Sequence, residues 1–119
     1  MVERSFRIRL VDIREEIAGI RALTKDATAD VFVESWAMKR AVQHALLIIA
    51  EAAKHIPPET KKLYPGVPWH NIHGLGNILR HEYRRIDPNI LWSVITEHLA
   101  GLDQAAAAIL DDLDRNPSK

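Results

Sequence analysis

The sequence contains no cysteine, and this absence excludes several kinds of site at once. Disulfide bonds, thiolate zinc sites and cysteine nucleophiles cannot form, and such a composition is ordinary for a reducing compartment. Even the apolar run at residues 45–50 is far shorter than the roughly 20 residues that cross a bilayer. Residues 1–10 carry three arginines and a glutamate in place of an apolar core, so we expect no signal peptide. The sequence therefore predicts a soluble, cytoplasmic protein that does not enter the membrane.

The chain also lacks an excess of charge of either sign, because acidic and basic residues balance at 16 each. No overall field would draw the protein to nucleic acid or to a membrane surface, so any electrostatic attraction has to come from a local patch. The best such patch is formed by Arg80, Arg84 and Arg85. A length of 119 residues suffices for one core, and we expect a single domain over residues 1–119.

Apolar residues recur at helical spacing along most of the chain, and no segment alternates with a period of two over a useful length. Residues 35–55 are apolar over most of the helical circumference and predict the central, most buried helix. The pattern is typical of an all-α, up-and-down bundle of four to five helices. A first helix that ends near Leu23 is predicted by an apolar stripe, which consists of Val2, Phe6, Leu10, Ile13, Ile17 and Ile20.

Capping residues and prolines predict where the other helices begin. Thr28 or Asp30 can cap a short helical turn by accepting a free backbone N–H. The pair Pro57-Pro58 ends the central helix and can start a short helix of its own. Pro68 or Trp69 opens the next helix, which we expect to end near residue 83.

The final helix is predicted to be long and continuous. Asp87 is suited to its N-cap and Pro88 to its first turn. We expect one face of this helix to be buried, comprising Leu91, Val94, Ile95, His98, Leu102, Ala106, Ile109 and Leu113.

Four polar residues of the central helix share one stripe, namely Arg40, His44, Glu51 and Lys54. A charged stripe on a core helix needs partners. Intrachain salt bridges or a solvated edge would provide them, and so would a polar seam that lines a cleft or a subunit interface.

Residues 74–85 carry the greatest density of reactive side chains. Arginine offers forked donors to phosphate oxygens and histidine titrates near neutral pH, so this stretch suits a phosphate-bearing ligand. A polar stripe with one histidine is also typical of a merely solvated face. On a helix the core side would hold Ile72, Leu75 and Leu79, and the opposite side would hold His73, Asn77, Arg80, His81 and Arg84.

Five segments between residues 50 and 92 form a combined pattern, namely Ala50-Glu51-Ala52-Ala53-Lys54, Pro65-Gly66-Val67-Pro68-Trp69, Gly74-Leu75-Gly76-Asn77, His81-Glu82-Tyr83-Arg84-Arg85-Ile86-Asp87 and Leu91-Trp92. In this pattern the chain resembles the HepT-like toxins of the HEPN superfamily. Such a resemblance implies an all-helical homodimer whose paired motif helices form a cleft, and cleavage of an RNA substrate without a metal or another cofactor. It also implies a nucleotidyltransferase-like antitoxin that silences the toxin by transferring AMP to a motif tyrosine.

Carried over by this resemblance, His81 matches the motif histidine, Tyr83 the modified tyrosine and Asn77 the polar residue within the motif. Asn77 lies one helical turn before His81 and can orient the imidazole or contact a ribose. For Tyr83, packing against the bundle with its hydroxyl at the rim is the alternative.

The chain departs from the family signature at the motif arginine. The signature places this arginine a few residues upstream of the histidine, at positions that here hold Gly76, Leu75 and Gly74. We therefore predict that Arg80 supplies the missing guanidinium. The expected catalytic residues are His81, Arg80 and Asn77, and the expected phosphate-binding residues are Arg80, Arg84 and Arg85.

Two alternatives remain at the level of sequence. His70, His73 and His81 could suggest a metal site, but no carboxylate or cysteine completes a recognisable ligand set, so we expect no metal. The second alternative is a non-catalytic binding module of the same fold, in which a degenerate motif leaves only dimerisation and docking to a nucleotidyltransferase partner.

Overall fold

The computed structural model describes residues 6–116, which form an all-α fold without a strand. The predicted fold class is therefore confirmed. The helices of this described part are α1 (Arg7–Thr24), α2 (Ala29–Glu34), α3 (Trp36–Ala53), α4 (Pro58–Lys62), α5 (Trp69–Glu82), α6 (Pro88–Glu97) and α7 (Leu99–Arg115), and a 3₁₀ turn, Tyr83–Arg85, follows α5 directly.

The core lies where α1 packs against α3 on one side and α7 on the other, while α3 also packs against α5. Five members of the predicted α1 stripe are buried, from Phe6 to Ile20, whereas Val2 lies outside the described residues. The central helix, α3, buries Val42, Leu46 and Ile49 among other side chains. Helix α3 thus contributes to two packing layers, which is why its sequence is apolar over so much of its circumference.

Side-chain caps fix the start of three helices. Thr28 Oγ1 accepts from the backbone N–H of Val31 at 3.2 Å, which selects Thr28 over Asp30 as the cap of α2. Asp87 Oδ1 accepts from the N–H of Asn89 at 2.9 Å, with Pro88 in the first turn of α6 as predicted. Ser35 Oγ likewise accepts from an N–H in the first turn of α3. Each cap satisfies a donor that the helix cannot satisfy itself.

The prediction of one long final helix was wrong, because the helix is interrupted at His98, where φ is −119° and ψ is −28°. The two halves pack on different partners: α6 lies against α2 and α3, whereas α7 lies against α1. A straight helix would not reach both. His98 is exposed at the break and does not join the buried face, whereas Leu91 and Leu102 on either side of it are buried.

Within residues 6–116, no helix combines the length and the apolar character needed to cross a membrane.

Candidate functional site

Helix α5 has the two-sided character that its sequence predicts. Leu79 is buried, and Ile72 and Leu75 are partly buried against the core. Asn77 and His81 are exposed on the opposite side. Arg80 and Arg84 are exposed as well, although Arg84 lies in the 3₁₀ turn beyond the end of α5. The polar face is therefore accessible to a ligand.

His73 departs from this arrangement, because it is partly buried next to the end of α4. Its Nε2 lies 3.1 Å from Lys61 Nζ. Burial, and secondly the charge of Lys61, lower the pKa of His73, so the imidazole is a neutral acceptor for the ammonium group. His73 therefore contributes to the contact between α4 and α5. Among residues 6–116, no group of three histidine or carboxylate side chains has the arrangement of a metal site.

The axes of α3 and α5 approach closely at Gly76, which is buried. A Cβ atom placed on Gly76 would lie only 2.7 Å from Cβ of Ala50, whereas one placed on Gly74 would meet nothing within 4 Å. Gly76 thus allows two helix backbones to pack together, as glycine often does at tight helix contacts. One of the positions at which the resembling family places its arginine is therefore occupied by a helix–helix contact.

Arg80 reaches back along α5 and is tied to α3. Its Nε donates to Glu51 Oε1 at 2.9 Å, its Nη2 donates to the same oxygen, and its Nη1 donates to Asn77 Oδ1 at 3.0 Å. Nη2 would be 3.7 Å from a Cβ on Gly76. Helical side chains lean toward the N-terminus of their helix, and Arg80 therefore places its guanidinium one turn upstream of its own Cα.

Asn77 is held by Arg80, and its predicted contact with the imidazole of His81 or with a ribose stays a prediction. Its carboxamide oxygen fixes one end of the guanidinium, and Glu51 fixes the other. The three side chains form a network that orients Arg80 before any ligand arrives.

Glu51 is a carboxylate at neutral pH. The hydrogen bond from Arg80 is the main cause that lowers the pKa of Glu51, and the charges of Arg80 and Lys54 lower it further. Lys54 Nζ lies 3.5 Å from Glu51 Oε2. The polar stripe of the central helix is thus partly an intrachain salt bridge, and its partner on α5 is the motif residue Arg80.

The other end of the same stripe meets Tyr83. The guanidinium carbon of Arg40 lies 5.0 Å from the centroid of the Tyr83 ring and 5.8 Å from that of Trp36. Gln43 bridges the two segments, because its Oε1 accepts from Arg40 Nη1 at 3.0 Å and its Nε2 donates to the carbonyl oxygen of Tyr83 at 3.4 Å. Helices α3 and α5 therefore run antiparallel, with early α3 beside the end of α5.

Tyr83 is 37% exposed. A hydrogen bond from Arg84 and the charge of Arg84 lower the pKa of its phenol, and the charge of Arg40 adds to the effect. Ionisation of the phenol is thus favoured by the two arginines beside it. The Tyr83 ring lies beside two cations and is partly accessible, and both alternatives that the sequence left open for it, modification and packing with the hydroxyl at the rim, remain compatible with this position.

His81 is exposed on the last turn of α5, two residues before Tyr83. The predicted phosphate-binding arginines do not form one cluster: Arg80 is bound to Glu51, Arg84 lies at Tyr83, and Arg85 Nη1 pairs with Glu82 at 2.7 Å. The cations nearest to His81 in the chain are thus held by different partners, Arg80 by Glu51 and Asn77 on one side and Arg84 by Tyr83 on the other.

Two residues that contact this surface, Trp36 and Gln43, were not predicted from the sequence. Trp36 precedes Arg40 by four residues, so the two share a face of α3. The contact between Trp36 and Arg40 could therefore have been predicted from their spacing. The contact between Gln43 and Tyr83 spans 40 residues and depends on how α3 and α5 align, which the local sequence does not reveal.

Comparison with known proteins gives consistent matches. A family model described as Ribonuclease HepT-like matches residues 13–109. A candidate RNase of Methanocaldococcus jannaschii is 36% identical over 97 residues, which cover 82% of this chain and 89% of that protein. A protein of Thermococcus cleftensis with the name "Probable ribonuclease HepT" is 34% identical over 101 residues, which cover 85% of this chain and 92% of that protein. Another candidate RNase of Methanocaldococcus jannaschii is 30% identical over 114 residues, 96% of this chain and 94% of its own. No solved structure matches the chain.

Proposed function

The chain belongs to the HepT-like ribonuclease family, and we propose that it is the ribonuclease toxin of a toxin–antitoxin pair, acting on RNA in the cytoplasm without a metal ion. The observation that supports this most is the exposure of His81 on the last turn of α5, flanked by Arg80 and Arg84. An exposed imidazole with exposed arginines one residue before it and three residues after it supplies the residue types that cleavage of a phosphodiester needs.

The proposed reaction is attack by the 2′-oxygen of a ribose on the adjacent phosphorus. A base takes the proton of the 2′-hydroxyl, a bond forms between the 2′-oxygen and phosphorus, and the bond to the 5′-oxygen breaks as an acid protonates that oxygen. His81 is the proton-transfer group. Arginine donors stabilise the charge that develops on the non-bridging phosphate oxygens.

Arg80 is the first candidate for that stabilising role. It uses Nε, one N–H of Nη1 and one of Nη2 for Glu51 and Asn77, and a guanidinium carries two N–H groups on each terminal nitrogen. Donors therefore remain for a phosphate oxygen while the network holds the guanidinium in place. Arg84 and Arg85 are the further phosphate ligands in this proposal, and Asn77 acts by positioning Arg80.

We assign the working enzyme to a symmetric homodimer, in which the motif helices of two copies line one cleft. Twofold pairing would bring two copies of His81 together, so that one acts as base and the other as acid. Light scattering at micromolar concentration tests this point, and a monomer that still cleaves RNA would refute the composite site.

Regulation in this proposal occurs at Tyr83, through a nucleotidyltransferase antitoxin. The phenol oxygen attacks the α-phosphorus of ATP, pyrophosphate leaves, and the phenol proton passes to a base on the antitoxin. Arg84 and Arg40 favour the phenolate form that attacks. The resulting phosphodiester would occupy the charge and space next to His81 and block the substrate. Intact-mass measurement should show AMP additions that vanish in Tyr83→Phe, and a shift retained in that variant would move the acceptor elsewhere.

The decisive experiment for catalysis compares three purified proteins on single-stranded RNA with a chelator present. Wild type should cleave, and His81→Ala should lose at least about 100-fold in rate, the usual contribution of a proton-transfer group. His70→Ala is the matched control, because His70 is an exposed histidine of the same helix outside the motif. Undiminished cleavage by His81→Ala would refute the assignment, and loss of wild-type cleavage on chelation would refute metal independence.

A second candidate function is a non-catalytic module that dimerises and docks a nucleotidyltransferase. Its specific support is the packing of Gly76 on Ala50, which leaves no room for an arginine at that motif position, together with the pairing of Arg80 to Glu51. Wild type and His81→Ala would then be equally inactive on RNA while both bind the partner enzyme.

A further inference from the structure

Trp36, the first residue of α3, is 70% exposed, which is unusual for the largest side chain in the protein. Among the described residues its recorded ring contact is with Arg40, which leaves the rest of the indole open to solvent. The Trp36 side chain adds little to the core. Its position therefore calls for a different explanation.

Trp36, Arg40 and Tyr83 form a cluster, here called the column, in which one guanidinium lies over two aromatic rings. Arg40 is 5.8 Å from the ring of Trp36 and 5.0 Å from that of Tyr83. Gln43 holds the central guanidinium by accepting from Arg40 while donating to the backbone of Tyr83. The column is thus ordered by contacts between α3 and the 3₁₀ turn, and less side-chain entropy is lost when a ligand binds.

We propose that this column is a stacking platform for an unpaired base of single-stranded RNA, with the base placed on the open face of Trp36. Nucleobases stack on aromatic rings and on guanidinium planes, and the alternating column provides both. Arg84, beside Tyr83, supplies a cation for the adjacent phosphate. The proposal rests on the ribonuclease function proposed above and deepens it, because it names the form of RNA that is bound.

The location of the column accounts for its use. It ends at Tyr83, two residues after His81. A base held on Trp36 would anchor the strand so that its backbone passes the imidazole. The platform needs an unstacked base, so it selects single strands over duplex RNA.

Binding of a short fluorescent oligoribonucleotide tests the platform. Trp36→Ala should weaken binding about 10-fold, in line with the loss of one stacked base, and Trp36→Phe should retain most of the affinity. The same oligonucleotide made with abasic sugars should bind weakly to wild type and to Trp36→Ala alike. Leu63→Ala is the matched control, because Leu63 is a 72% exposed apolar side chain on a different element, at the end of α4. Binding should also quench tryptophan fluorescence in wild type but much less in Trp36→Phe.

Salt dependence separates stacking from phosphate contacts. Trp36→Ala should leave the slope of log affinity against log salt unchanged, whereas Arg84→Ala should reduce that slope by about one. Equal binding by wild type and Trp36→Ala would overturn the platform, as would equal affinity for duplex and single-stranded RNA. Conversion of a wild-type dimer to a monomer by Trp36→Ala would overturn it too, because Trp36 would then be a subunit contact.

Cleavage of the same oligonucleotide tests the stacking platform and the proposed ribonuclease function separately. Cleavage without an effect of Trp36→Ala on binding removes the platform and keeps the ribonuclease. Binding that depends on Trp36 without cleavage keeps the platform and removes the ribonuclease. A wild-type protein that neither binds nor cleaves RNA refutes both.

Discussion

The contact between Gly76 and Ala50 predicts that alanine substitution changes the stability of the protein in opposite directions at two glycines of α5. A methyl group on Gly76 would lie 2.7 Å from Ala50 Cβ. The two carbons would have to separate by about 1 Å to reach the favourable distance of about 3.5–4.0 Å. Cβ of Ala50 is bonded directly to the backbone of α3 and cannot rotate away, so α3 and α5 have to move apart.

The magnitude follows from two opposing effects. Replacing a mid-helix glycine by alanine stabilises a helix by about 0.5–1 kcal/mol, and overpacking a close contact costs about 1–3 kcal/mol. Gly76→Ala should therefore destabilise the protein by about 1 kcal/mol. Gly74→Ala meets open space and should stabilise it by about 0.5–1 kcal/mol.

Urea unfolding followed by circular dichroism, at one fixed protein concentration, measures both changes. The double variant Ala50→Gly with Gly76→Ala completes a double-mutant cycle. Removal of the Ala50 methyl group should relieve the clash, so the two substitutions should show a favourable coupling free energy of about 1 kcal/mol. A Gly76→Ala protein that gains stability as Gly74→Ala does would refute the close approach of the two helices, and so would a coupling of zero.

Three other predictions concern the charged network. Arg80→Ala should reduce RNA cleavage strongly. Arg80→Lys should restore only part of the cleavage rate, because a single ammonium group cannot reproduce the forked contacts of a guanidinium. A fully active Arg80→Ala protein would assign the role to another arginine. Because Arg80 lowers the pKa of Glu51, the pair stabilises the fold at neutral pH, and this contribution is lost as the pH falls below about 4.3. Acid unfolding of Glu51→Gln should therefore depend less on pH than that of wild type. Identical unfolding curves for the two proteins would contradict the pairing. Ultraviolet titration of wild type, minus that of Tyr83→Phe, should show the Tyr83 phenol ionising below the usual value of about 10, and Arg84→Ala should move that curve upward.

Local signals in the sequence were sufficient for most of the helices. The stripe from Phe6 to Ile20, the cap at Thr28 and the Asp87-Pro88 start each act within a few residues, so their outcome can be read from the chain. The interruption at His98 has no proline or glycine to mark it. It follows from the need of α6 and α7 to meet different partners, which is a property of the assembled fold.

The sequence allowed the polar faces of the candidate site to be predicted, but not the hydrogen bonds that join them. The polar face of α5 and the stripe of α3 were both visible as periodic patterns. The bond between Glu51 and Arg80 joins residues 29 apart, and it depends on the alignment of two helices that approach closely at Gly76. The role of Arg80 as a replacement guanidinium thus stays a prediction, and the carboxylate and amide that orient this side chain were not predicted from the sequence.

The Gly76 contact also has an evolutionary consequence. A descendant of this chain cannot recover an arginine at position 76 by one substitution without moving α3, because the new side chain would meet Cβ of Ala50 and the guanidinium of Arg80 already lies beside that position. Positions 50, 76 and 80 therefore have to change together, and each intermediate would lose either the helix contact or the arginine. In lineages that carry this combination, the glycine and the displaced arginine should be inherited as a unit.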